Sequence, residues 1–308
     1  MPIPVRIDHV PIYASEKLTR SIIHAGNARL SRRQFAARTA GIAAIAAAGS
    51  LAGLPVARAS AQSMDPFTYI RTMPATDNLG QFPGQAATEI DPVEADGAVW
   101  ETYIQLPIKE GQDFHYTCEF DSAWIILTAY GKDLSLEDQL ALVGQDTSIE
   151  PYYEEREDGV IIVGGDIWEH FSGHYEDNFL ARATGNAMRK VFDGAGLTTE
   201  PVHDRKAIEA ALEQGRPVFF KSSVDFLDWV PATWITPDGD EFPVVLGNDH
   251  ALIVMGANAD DVIIRDPLGP TSTNTERPYQ YRVTWQRFLE VFAAQGNDGV
   301  AVGPAAAS

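Results

Sequence analysis

The 308-residue chain carries 23 basic and 43 acidic side chains, a formal charge of −20, and a single cysteine. So acidic a surface repels nucleic acid and anionic lipid, and no nucleic-acid partner is expected. One thiol likewise excludes a disulfide-stapled scaffold.

Residues 1–30 have no sustained periodicity and read as an extended leader or an over-called start. Arg32 and Arg33 then precede an uncharged run, 39–54, made mostly of alanine and glycine. Paired arginines before such a run form the pattern of a twin-arginine signal peptide, and the run is too short and weakly apolar to anchor in a bilayer. Ala59, Ser60 and Ala61 supply a small-residue cleavage pattern, so the mature chain is expected to begin at Gln62 and to lie in the periplasm, at the cell wall or outside the cell. The twin-arginine export machinery is the partner this implies, with no stable membrane anchor after cleavage. Removing residues 1–61 takes away eight basic and two acidic residues, leaving 15 against 41, a formal −26.

Residues 62–98 are rich in proline, glycine, alanine and acids and read as a linker or loosely docked arm. Packing begins near 99–108, so the folded domain is expected over 99–308. Residues 112–131, QDFHYTCEFDSAWIILTAYG, hold Cys118 just ahead of an apolar run with the length of a buried helix. Cys118 is therefore expected at a helix N-terminus, where free amides and the helix dipole favour an anion and should draw the thiol pKa down. Gln112, six residues upstream, is a neutral donor of the kind that stabilises a tetrahedral oxyanion. An unpaired cysteine in an exported chain also points to chemistry.

Ser135 caps a short helix ending at Val143, with an acid three residues on. Residues 150–165 mix an acidic patch with one strand-like run, and Glu169, His170, His174 and Asp177 follow close together. No helical or hairpin template converges these four, so they read as a polar loop beside a substrate cleft; no metal or cofactor is expected. Helices are expected at 185–195, at 204–215 behind an Asp204 cap, and at 285–294. Strands are expected at 217–220, 250–255, 262–264 and 300–302, with 223–247 an insertion able to shape or cover the cleft.

His250 opens the strand at 250–255, and Asp266 stands at the end of the next, before Pro267. The polar residues 257–260 form the turn between them. Cys118, His250 and Asp266 thus follow the order nucleophile, base and orienter. Imidazole takes the thiol proton, and a carboxylate on the other ring nitrogen fixes its tautomer and orientation.

Gln112 with Cys118 after five intervening residues, His250 in HALIVMG and Asp266 in an Asp-Pro pair sixteen residues on resemble the papain-like cysteine peptidases. More narrowly, they resemble the branch containing the bacteriocin-processing, double-glycine leader peptidases and their secreted relatives. One departure is Thr117, where many relatives carry glycine. The resemblance implies an α+β papain-like fold, with an N-terminal helical half carrying Cys118 and a C-terminal antiparallel sheet carrying His250 and Asp266. It also implies Gln112 as oxyanion donor, and an exported cysteine peptidase acting on a peptide or protein. A transglutaminase-like or acyltransferase enzyme shares the Cys, His, Asp order, but its histidine is typically followed by tryptophan two residues on, where this chain has Leu252. A catalytically inactive peptidase-like binding module is the third alternative, and thiol alkylation would separate it from an enzyme.

Overall fold

The computed structural model describes residues 71–72, 93–95, 98–270 and 277–305. The expected signal peptide at 1–61, the cleavage site and most of the segment 62–98 lie outside the described residues. Four short strands come first, β1 (Arg71–Thr72), β2 (Val93–Ala95), β3 (Ala98–Trp100) and β4 (Thr102–Tyr103).

Helix α1 (Cys118–Ala129) begins four residues before the apolar run, so that the thiol belongs to its first residue. The Thr117 side chain does not cap the helix; its hydroxyl donates to Asp121 Oδ2 at 2.7 Å and accepts from Phe114 N at 3.0 Å. Those bonds fold the approach loop back onto the first turn. Gly131, at φ 68°, ends the helix in the left-handed conformation that glycine adopts without steric penalty. Helix α2 (Leu136–Val143) has the full capping box between Ser135 and Asp138.

The chain continues through β5 (Gln145–Asp146), β6 (Tyr152–Arg156), β7 (Gly159–Val163) and β8 (Phe171–Ser172) to α3 (Gly185–Gly194). Next come β9 (Leu197–Val202), α4 (Arg205–Glu213), β10 (Val218–Ser223), β11 (Val230–Ile235), β12 (Glu241–Leu246), β13 (Asp249–Ala257) and β14 (Asp261–Arg265). Finally, β15 (Gln280–Thr284), α5 (Trp285–Ala294) and β16 (Gly299–Pro304) close the fold.

An antiparallel sheet in the order β1-β15-β14-β13-β10-β16-β9, with β4 also on β13, forms the centre. Alternation along β13 gives it two faces. Ala251, Ile253 and Met255 pack with residues of α1 and α3, whereas Leu252 and Val254 pack with residues of α4 and α5. Helices therefore cover both faces, beyond the expected simple succession of a helical half and a sheet half.

A second sheet, β12-β11-β7-β6, pairs β11 with β7 in parallel and the others antiparallel. Two of its strands, β11 and β12, come from 223–247, the segment expected to be an insertion. Three of the strands that the sequence reading missed contain proline, at Pro201, Pro231 and Pro243. Proline donates nothing to a ladder and demotes a run as a strand candidate, yet edge positions tolerate it, and β9 and β12 are the edges of their sheets.

Candidate active site

The Cys118 side chain is buried, and Sγ donates a hydrogen bond to Glu119 Oε2 at 3.2 Å. Glu119 is wholly buried as well; its Oε1 accepts from Ala183 N at 3.3 Å and from Lys221 Nζ in a short ion pair. Lys221 on β10 also donates to Asp249 Oδ2 on β13 at 2.8 Å. Asp249 Oδ1 accepts from Gln295 at 2.7 Å and lies 3.9 Å from Arg182. Two carboxylates thus face two cations, a balance required because an uncompensated buried charge costs several kcal/mol.

Burial first, and then the Glu119 carboxylate, push the Cys118 thiol well above its ordinary pKa, with Lys221 pulling the other way and Asp249 adding to the rise. The expectation of an acidified thiol is thereby corrected. Desolvation and an adjacent carboxylate outweigh the field of the helix terminus.

The imidazole is held differently. His250 Nε2 lies 3.0 Å from Asp266 Oδ1, which also accepts from Leu268 N at 2.8 Å. The other carboxylate oxygen accepts from Arg277 Nη2 at 2.5 Å and from the Tyr281 hydroxyl at 2.7 Å. Burial alone would raise the Asp266 pKa, but Arg277, followed by His250 and Tyr281, overcomes it and holds the group well below the usual carboxylate range. Arg277 also donates to Asp225 Oδ1 at 2.5 Å, while burial and the nearby Asp266 raise the Asp225 pKa against the pull of Arg277. Of the two carboxyls on Arg277, Asp266 is the firmly ionised one. Asp225 and Phe226 both sit at positive φ, 54° and 51°, a strained pair of the sort that persists only where the surroundings enforce it.

The register of β10 on β13 pairs Lys221 with Ala251 and Ser222 with His250. Asp249 and Ala251 therefore face α1, and Ser122 Oγ of α1 donates to Ala251 O at 2.8 Å. His250, between them, turns toward Asp266. The thiol group and the imidazole group are thus reached from successive residues of one strand.

Of the four residues singled out in the sequence, the structure joins His250 and Asp266 by a hydrogen bond, sets Cys118 at the start of α1, and leaves Gln112 half-buried in the approach loop. Buried Asp121 ties that loop down, accepting from Asp113 N at 3.4 Å and pairing with Lys109 at 3.3 Å. Burial drives the Asp121 pKa up to about 7 against the pull of Lys109. The thiol's own hydrogen-bond partner is Glu119, which the sequence reading did not select. Lys221, a lone cation between apolar and small polar residues in VFFKSS, was a readable signal of a buried ion pair. Arg277 carried no local signal. Glu169 pairs instead with Lys190 at 2.8 Å and His174 with Glu150 at 3.5 Å, and among the described residues no group of three or more His, Cys, Asp or Glu could hold a metal.

A family model described as the Peptidase_C39 like family matches residues 101–300. A solved structure from Bacillus anthracis, of a candidate C39-like peptidase, aligns with a TM-score of 0.52 at 16% identity, covering 67% of this chain and 100% of that one. At that identity the likeness concerns the fold. Among curated proteins nothing matches.

Proposed function

The chain belongs to the Peptidase_C39 like family, and from that premise we propose that it is an exported, papain-like cysteine peptidase with Cys118 as nucleophile. The observation that carries the reading is the His250–Asp266 hydrogen bond, fastened by Arg277 and Tyr281 beside the strand that packs under α1. With Asp266 ionised, the ring nitrogen facing it carries a proton, so neutral imidazole keeps its lone pair on Nδ1.

In the reaction, Nδ1 takes the thiol proton as Sγ attacks the amide carbonyl. Gln112 and the Cys118 backbone N–H donate to the oxyanion; one such donor is commonly worth about 3 kcal/mol. The C–N bond then breaks, His250 returns its proton to the leaving amine, and water hydrolyses the thioester. Asp266 orients the ring and stabilises the imidazolium without taking its proton.

The test is cleavage of a peptide library by the chain beginning at Gln62, with Cys118→Ala alongside. Cleavage lost in the variant supports the reading, and no cleavage by either protein rejects it. Export is tested by changing Arg32 and Arg33 together to Lys, which keeps the charge and should block a twin-arginine signal; unimpaired export would refute that route.

A further inference from the structure

We propose that Glu119 is a further active-site residue, the hydrogen-bond acceptor that restrains the Cys118 thiol, and that Lys221 sets the strength of the restraint. The inference rests on the reading of Cys118 as the nucleophile. Its geometric basis is direct. Sγ donates to Glu119 Oε2 at 3.2 Å, while Ala183 N and Lys221 Nζ hold the other oxygen of the same carboxylate.

An ionised carboxylate accepts hydrogen bonds and donates none. The Sγ–Oε2 bond therefore exists only while sulfur keeps its proton, and a thiolate at the same distance would meet a like charge. Lys221 acts in the opposite sense by neutralising Glu119 and favouring negative sulfur. The surrounding charges complete the account. Asp249 on β13 shares Lys221, Arg182 lies 3.9 Å from Asp249, and Asp298 lines a small recess together with Lys221, Arg182 and Gln295. Burial raises the Asp298 pKa to about 6 against the pull of Gly185 N and Lys221, so its charge varies with pH. On α1, Asp121 is engaged by Thr117 and Lys109, and His250 is turned to Asp266.

Attack on a substrate requires the proton to leave Sγ for His250 Nδ1, which breaks the bond to Glu119. Substrate and imidazole must therefore displace this contact together. Until they do, the neutral thiol resists alkylation and oxidation, both of which act on thiolate.

The experiment measures iodoacetamide labelling rates against pH for the full chain and for Glu119→Gln, Lys221→Met and the double variant. Glu119→Gln should label at least about tenfold faster at neutral pH, a shift of one unit or more in the thiol's midpoint. Lys221→Met should label slower, and the double variant should lie between the two. An unchanged or slower rate in Glu119→Gln overturns the proposal. If that variant does not fold, the wild-type protein decides: titration of thiolate ultraviolet absorbance should give a midpoint above the ordinary value of about 8.5, and a midpoint below it overturns the proposal. No peptide enters these measurements. A failure of the peptidase reading would appear as absent cleavage with the labelling pattern intact, whereas a failure of this proposal would appear in labelling alone.

Discussion

Cys118 and His250 belong to two buried ionic clusters built on successive residues of β13, Asp249 and His250, and the clusters treat their central groups in opposite ways. On the α1 side, Glu119 and Asp249 share Lys221, and the thiol next to them is kept protonated. On the other side, Arg277 and the Tyr281 hydroxyl converge on Asp266 and keep it charged and aimed at Nε2. Both clusters are buried. What differs is the group adjacent to the one that must react: an anion beside the sulfur, a guanidinium beside the carboxylate. On the proposed reading, the base is thus prepared in advance and the nucleophile is held back.

The largest effect should come from breaking the chemistry on each side. Cys118→Ala should reduce kcat/KM to background, a loss on the order of 10⁵-fold or more, and Asp266→Ala should lose less, because an orienter assists where a nucleophile is indispensable. Equal losses in steady-state assays on a cleaved peptide would erase the distinction.

Next in size is the removal of one cation from the imidazole side. Arg277→Met strands Asp266 and Asp225 without their shared partner and should destabilise the fold by about 3–5 kcal/mol in urea denaturation. The conservative Arg277→Lys should recover only part of this, since a point charge cannot make the two-sided contact of the guanidinium fork.

The pH dependence of stability should sharpen the contrast further. Asp266, with a depressed pKa, contributes stability that is present above the unfolded value of about 3.9 and is lost as pH falls through its folded value. Asp266→Asn should therefore flatten the acid limb. Asp121 has the opposite sign: its folded pKa is raised to about 7, so its contribution is complete below about 3.9 and disappears as pH rises through 7. Asp121→Asn should remove a decline in stability between those limits, measured by denaturant midpoints at stepped pH.

The smallest effect tests the connection between the two sides. Ser122→Ala removes the 2.8 Å bond from α1 to Ala251 O and should cost about 1 kcal/mol, leaving the carbonyl buried and short of a donor. A thermal shift larger than that of an exposed Ser→Ala control is the measurement, and no difference would mean that sheet packing alone holds α1 in place.

Local order in the sequence specified much of this arrangement. Ser135 and Asp138, Asp204, and the apolar spacing of 285–294 announced helices whose stabilising bonds span three or four residues, and α2, α4 and α5 form there. Apolar runs likewise announced β10, β13, β14 and β16, because a central strand buried on both faces needs no partner to be recognised as apolar. The second sheet was legible only in the apolar run of β7, for the converse reason: its β11–β7 pairing joins segments some seventy residues apart, and Pro231 and Pro243 weaken the strand signals of β11 and β12.

Chemistry-bearing residue types, their order along the chain and the elements that carry them were thus fixed by the amino-acid sequence, since each depends on side-chain identity and short-range spacing. The charge state of the thiol was not. It follows from Glu119, Lys221 and Asp249 meeting in a dry interior, where electrostatic interactions strengthen as water is excluded, and only the register of β10 against β13 and the packing of α1 across them bring those three together. Asp266 owes its charge in the same way to Arg277, whose distance from His250 along the chain carries no information about their closeness in space.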